Sequence, residues 1–260
     1  MKHQVQDLRI FQRLVGSPAG KGGPSLPPGR RMLEIGRFFL GTPYASGTLE
    51  AEGPEHLVVN LRKFDCFTFV ENAVALTRLL GSKDRTLSRF ERLLREIRYR
   101  GGRLRGYPSR LHYFSEWIYD NGKKGFVRDV TSAVGGKPVR MNIRFMTEHP
   151  GAYPALKDKN NMKRIRAVEK ALSRRPVSVI PKKALRRLEG QIRDGDVIAI
   201  ATSREGLDVQ HVGLALSVGG RIHLLHASSV HGMVVVTRET LHRYLSRSRR
   251  RTGILVARLS

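Results

Sequence analysis

The chain has a single cysteine, Cys66, in 260 residues. One thiol excludes a disulfide framework and any cysteine-based zinc site, and it leaves the redox compartment unreadable. No apolar run approaches the ~20 residues that cross a bilayer, so no transmembrane segment is expected. Residues 1 to 15 also lack the apolar core, about 7 to 15 residues long, that marks a signal peptide. Acidic residues are scarce: 22 Asp and Glu stand against 48 Lys and Arg, a formal net charge of +26. Such an excess implies a polyanionic neighbourhood, whether nucleic acid, anionic lipid or an anionic cell wall. The basic side chains are spread over several segments (Arg92 to Arg105, Lys163 to Arg175, Arg247 to Arg251), with no interleaved aromatic row for stacking bases. Weak, non-specific polyanion binding is therefore expected, and no specific nucleic-acid site.

What is present is enough for a core, at 40% hydrophobic residues. Residues 1 to 15 form a short helix on the pattern of Leu8, Phe11, Leu14 and Val15, and the glycine and proline tract Gly16 to Gly29 reads as a flexible linker. The expected division is thus an extension over 1–29 and a folded domain over 30–260. Helical periodicity covers Arg31 to Leu40, the stretch after Cys66 as far as Leu80, and Thr86 to Tyr99, with a further helix starting near Ser109. Between 122 and 190 only helices around Met162 to Leu172 and Lys183 to Leu188 are legible. From Arg193 the pattern turns to β, with runs at Asp196 to Thr202, His211 to Val218, Arg221 to Ser228, Gly232 to Thr237 and Gly253 to Arg258. Helices followed by an antiparallel sheet make an α+β protein.

Cys66 opens its helix, and Asp65 is placed to cap it. A thiol in the first turn faces unpaired N–H groups and the positive end of the helix dipole, which favour thiolate over thiol. The ordinary alternative is a small buried hydrophobe, since free cysteine is among the most buried residue types. The histidines bear on this choice. Gly219-Gly220 between two strand-like runs signals a hairpin pairing Val218 with Arg221, continuing to Gly213 opposite His226 and His211 opposite Ser228. Paired residues share a face, so His211 and His226 lie together, roughly 7 to 8 Å apart at Cα, while His223 points the other way. With Cys66 they suit a thiol hydrolase, His211 as base and His226 as the group that orients it. Zinc could use two histidines, but no HExxH helix or closely spaced carboxylate partner accompanies them.

Taken together, Gly41-Thr42-Pro43-Tyr44 with Gly47, Phe64-Asp65-Cys66-x-Thr68-Phe69-Val70-Glu71, Arg110-x-His112-Tyr113-Phe114, Gly195-Asp196-Val197-Ile198-Ala199-Ile200, His211-Val212-Gly213 and Leu225-His226-Ala227-Ser228 resemble the NlpC-like superfamily of papain-fold cell-wall hydrolases. Within it they look like the branch of N-acetylmuramoyl-L-alanine amidases, over about Arg30 to Leu259. The resemblance implies a papain-like fold acting on peptidoglycan or muropeptides without metal or organic cofactor. It implies a nucleophile at Cys66, a base at His211 and a third polar residue at His226. Tyr44 and Asp65 match positions that border the substrate pocket in related enzymes, and Arg110 matches the branch's own motif; all three are candidate substrate-binding residues. Each has an ordinary structural alternative: loop packing for Tyr44, helix capping for Asp65, a salt bridge for Arg110. Related proteins are typically exported, so an envelope location is expected, with cytoplasmic handling of wall fragments as the alternative. Two other readings stand beside amidase: a γ-D-glutamyl-diamino-acid endopeptidase with the same chemistry, and a basic nucleic-acid-binding protein with a structural cysteine.

Overall fold

The last strand in the sequence lies inside the sheet. In the computed structural model, which describes residues 5–22, 25–50 and 53–260, the chain runs through α1 (Val5–Gly16), α2 (Pro18–Lys21), α3 (Pro28–Phe38), α4 (Cys66–Leu80), α5 (Leu87–Arg98), α6 (Phe114–Lys123), β1 (Val127–Asp129), β2 (Lys137–Val139), α7 (Phe145–Glu148), α8 (Lys159–Arg174), β3 (Val177–Pro181), α9 (Lys182–Leu188), β4 (Val197–Thr202), β5 (Val209–Val218), β6 (Arg221–Ser228), β7 (Met233–Val236), α10 (Leu241–Ser246) and β8 (Arg251–Leu259). The strand order is β2-β3-β8-β4-β5-β6-β7, every pairing is antiparallel, and β1 pairs with the outer part of β8. The α+β expectation holds: helices from the first half pack on an antiparallel sheet from the second.

Strand alternation sorts the core. Val212, Leu214 and Leu216 of β5 join the apolar cluster that includes Phe69, Val70 and Ala73 of α4, while Ala215 joins Leu241 and Leu245 of α10 and Leu185 of α9 on the other face. β4 and β8 are buried on both faces, which explains their unbroken apolar runs. The turn between β5 and β6 is Gly219-Gly220 with φ of +56° and +74°, the doubly left-handed pair that a two-residue hairpin needs. Val218–Arg221 through Leu214–Leu225 pair as expected from the sequence, but there the β5–β6 ladder ends. The expected pairs Gly213–His226 and His211–Ser228 are not formed.

The region that sequence left unread supplies short pieces. β1 and β2 are three residues each, too short for any periodicity to register, and they hold their places only by pairing with β8 and β3. Tyr113 donates to Glu169 at 2.7 Å, tying α8 to the start of α6.

The flexible extension expected over 1–29 is not what the described part of it forms. α1 buries Phe11 against Phe90 of α5, ring centroids 5.7 Å apart, and sends Leu14 fully into the core. Its buried Asp7 accepts the Leu61 N–H at 2.8 Å and pairs with Arg62 at 3.2 Å. Within the glycine and proline tract, Ser17 caps α2 and proline occupies its first position, so residues that read as linker serve as helix boundary instead. Residues 1–4 and 23–24 of the expected extension lie outside the described residues. Phe11→Ala should therefore lower unfolding free energy by about 3 kcal/mol or more, the usual size for a buried phenylalanine. Urea denaturation measures it, and an unchanged midpoint would mean that α1 is not part of the cooperative core.

Candidate active site

The α4 N-terminus is locally over-determined. Asp65 is its N-cap, accepting the Thr68 N–H at 2.7 Å, while the Asp65 N–H donates to Thr68 Oγ1 at 3.0 Å, a reciprocal capping box that fixes the first turn. The helix cap expected of Asp65 is thus present. Cys66 is the first residue of the helix, and the capped turn pins its position. α4 packs on β5 and β6, and the backbone N–H groups of Val212, just past the end of the β5–β6 ladder, and of Cys66 and Phe67 lie near the Cys66 sulfur. Cys66 thus lies beside the residue that follows His211.

His211 and His226 share a face as the pairing parity requires. They meet more closely than their backbone offset suggests: His211 Nε2 and His226 Nδ1 are 2.5 Å apart, with rings 4.7 Å between centroids and nearly perpendicular. Glycine at 213 allows this, because a Cβ there would stand 2.9 Å from the His226 Cβ. His223 lies on the opposite face and donates Nδ1–H to the Thr237 carbonyl at 2.8 Å. His226 is 1% exposed and its Nε2 has no partner among the described residues. Tyr244 of α10 stands against both rings, 6.4 Å from His211 and 5.6 Å from His226 between centroids.

Burial governs the electrostatics here. It pushes the Cys66 thiol up to about 12, with the Asp65 carboxylate adding to it, although the three N–H groups pull the other way. The His211 imidazole is lowered to about 3 by burial, then by His226 and Arg251, and His226 to about 4 by burial, then by His231 and Arg251. Desolvation thus opposes the preference for thiolate that the helix start favours, and the same burial holds both imidazoles towards their neutral form.

The remaining sequence candidates surround the thiol at different ranges. Tyr44 bridges in parallel to Phe64, and its phenol is raised by burial, then by Cys66 and Asp65, which places it next to the helix start. Asp65 and Arg110 line a common cleft of about 380 Å³ with Ser46, Phe67, His112 and Tyr153. Tyr44 is not among that cleft's walls. Arg110 is buried and pairs with Glu50 at 2.6 Å and Glu55 at 3.6 Å, so the salt bridge expected as its alternative role exists. Sequence reasoning passed over Glu50, Tyr153, Tyr244 and Arg251, none of which sits in a periodic or spaced motif. Among the described residues, no three histidine, cysteine or carboxylate side chains converge to hold a metal ion.

A capped helix that begins at a thiol thus packs on the antiparallel strand that carries His211, one of a hydrogen-bonded imidazole pair. The chain belongs to the AmiA-like family, described as N-acetylmuramoyl-L-alanine amidase-like, whose model matches residues 34–254. It is similar to the solved structure of an N-acetylmuramoyl-L-alanine amidase from Bacteroides uniformis, at 39% identity over 90% of this chain and 99% of that one, with a TM-score of 0.85. A Bacteroides fragilis protein carrying the provisional name xylanase is 40% identical over 87% of this chain and 100% of its own, TM-score 0.83. A Legionella pneumophila protein shares the fold at 23% identity, TM-score 0.71, over 98% of this chain and 93% of its own. No match is found among curated proteins.

A thiol held up near 12 ionises only in strong alkali. Iodoacetamide labelling of Cys66 followed by mass spectrometry should be slower at pH 7 than that of free cysteine and should climb steadily towards high pH. A rate plateau between pH 6 and pH 8, typical of a thiolate–imidazolium pair, would contradict the neutral resting state.

Proposed function

We propose that the protein hydrolyses the amide between N-acetylmuramic acid and L-alanine in peptidoglycan or its soluble fragments, by a Cys-His-His mechanism in a papain-like, NlpC-like fold. The observation that carries this is the capped Cys66 set beside Val212, the residue that follows His211, together with the 2.5 Å His211–His226 contact. Family membership supplies the substrate class.

The tautomers follow from the geometry. His211 Nε2 faces His226, so Nδ1 is the nitrogen available to take a proton, and a bare Nδ1 requires that Nε2 carry hydrogen and donate to His226 Nδ1. Because thiol and imidazole are both neutral at rest, the proton leaves sulfur for His211 as attack develops rather than beforehand. The sulfur bonds to the lactyl carbonyl carbon, and negative charge builds on its oxygen near the N–H groups of the α4 first turn. The tetrahedral intermediate collapses, the C–N bond breaks and His211 returns the proton to the departing L-alanine nitrogen. Water then attacks the thioester while His211 accepts its proton, the muramoyl carboxylate leaves, and the thiol is restored. Tyr44, Asp65 and Arg110 would border the bound fragment. The scattered positive charge suits an anionic envelope and gives weak, salt-sensitive attraction to other polyanions.

Mass spectrometry of products from defined muropeptides tests the reading. The wild type should release intact stem peptide with a free L-alanine amine, and Cys66→Ala should abolish release. His211→Ala and His226→Ala should each lower turnover by at least ~10²-fold, while His223→Ala should leave it near wild type. Fragments cut between D-glutamate and the diamino acid would replace amidase by endopeptidase. Retained hydrolysis in Cys66→Ala would remove the thiol mechanism, and inertness towards muropeptides with tight, salt-resistant nucleic-acid binding would favour a binding protein.

A further inference from the structure

Two β-bulges flank the end of β4, one in β5 and one in β8. On one flank, Ile200 pairs with His211 but Ala201 pairs with Val209, so Gln210 is skipped. On the other, Ala201 pairs with Gly253 but Thr202 pairs with Arg251, so Thr252 is skipped. A bulge re-aims the side chains around it. Here the two irregularities concern His211 and Arg251, on strands separated by β4.

Between them stands Tyr244. The Arg251 guanidinium lies over its ring at 3.9 Å from the centroid, and Arg251 also donates to the Tyr244 main-chain carbonyl. The same ring contacts both imidazoles. No carboxylate pairs with Arg251 among the described residues, and its buried Nε has no hydrogen-bond partner. Its charge is therefore uncompensated close to the histidines, and a positive charge there opposes a second one on either imidazole. The groups acting on the pair are Tyr244 from α10, Arg251 from β8 and His231 from the turn after β6; Cys66 of α4, Glu239 and Arg247 act on Tyr244, and Glu239 and Arg247 pair with each other.

We infer that Tyr244 and Arg251 are positioning residues for the His211–His226 pair, the ring fixing where the imidazoles stand and the guanidinium stacked on it disfavouring their protonation. The inference deepens the proposed function and rests on His211 acting as the base. A neutral Nδ1 on His211 is the form that can take the thiol proton, so the pair would keep the site competent at mildly acid pH. Both histidines lie well below their ordinary value, with Arg251 named among the causes after burial, which accords with this arrangement.

The test compares full-length wild type, Arg251→Met, Arg251→Lys, Tyr244→Phe and Tyr244→Ala, with imidazole titration by NMR and the pH profile of muropeptide hydrolysis as readouts. In Arg251→Met, both His211 and His226 should titrate about 1 pH unit higher, and the acid limb of kcat/KM should move up with them. Arg251→Lys should restore the wild-type limb. Tyr244→Phe should retain activity, whereas Tyr244→Ala should lower kcat by about 10-fold or more with little change in KM. Wild-type titration of both histidines in Arg251→Met overturns the inference, because lost packing alone would cut rate without moving the limb. The NMR readout needs no turnover, so this result is separable from failure of the thiol mechanism, which retained hydrolysis in Cys66→Ala would reveal. It also decides the matter should Tyr244→Ala not fold.

Discussion

The site depends on one placement: the first turn of α4 set against β5 where the β5–β6 ladder stops at Leu214–Leu225. A strand released from its neighbour has N–H groups to spare, and that of Val212 lies near the sulfur, where it favours the thiolate. The capping box holds the helix start rigid, and the burial of Phe69, Val70, Ala73 and Val74 holds the helix body. Deeper along α4, Glu71 meets Arg98 at 2.7 Å with both side chains 2% exposed, and Arg98 also donates to the Val58 carbonyl. Breaking such a pair leaves a buried charge, so α4, α5 and the 57–61 loop are locked to one another. The thiol inherits its position from these contacts.

In so basic a chain the few carboxylates are distributed unevenly. Asp196 is 1% exposed and takes Arg258, Glu189 takes Arg221, and Arg110 is bracketed by Glu50 and Glu55. Acidic side chains are thus spent on ordering specific arginines, while most of the excess positive charge remains on the surface. The cleft beside Cys66 reverses that balance, with Glu50, Asp65 and Glu71 on its walls and Arg110 as its cation. Long-range attraction to a polyanion and recognition within the cleft are consequently separate tasks, the first screened by salt and the second much less so.

Desolvation acts in opposite directions on acid and base. It raises the thiol and lowers the imidazoles, so the same burial favours the uncharged form of Cys66 and of His211. The helix N-terminus, which in isolation favours thiolate, acts against this desolvation. Its N–H groups are better matched to charge that appears during reaction than to charge at rest.

Sequence alone determined much of the architecture. Helical periodicity marked α3, α4, α5 and α8, the β-branched runs marked β4 to β8, and Gly219-Gly220 set a register that placed His211 and His226 on one face with His223 on the other. These are local properties, fixed by periods of 3.6 and 2 and by turn chemistry. Tertiary structure decided the rest. Three-residue strands carry no period, so β1 and β2 exist only through their partners. The glycine and proline tract reads as linker because composition does not show that α1 has Phe90 to pack on. The thiol's charge state could not be read from its place in a helix, since it depends on how much protein surrounds the sulfur. Tyr244 and Arg251 came to the histidines from a different helix and strand, beside bulges in β5 and β8 that only sheet pairing creates.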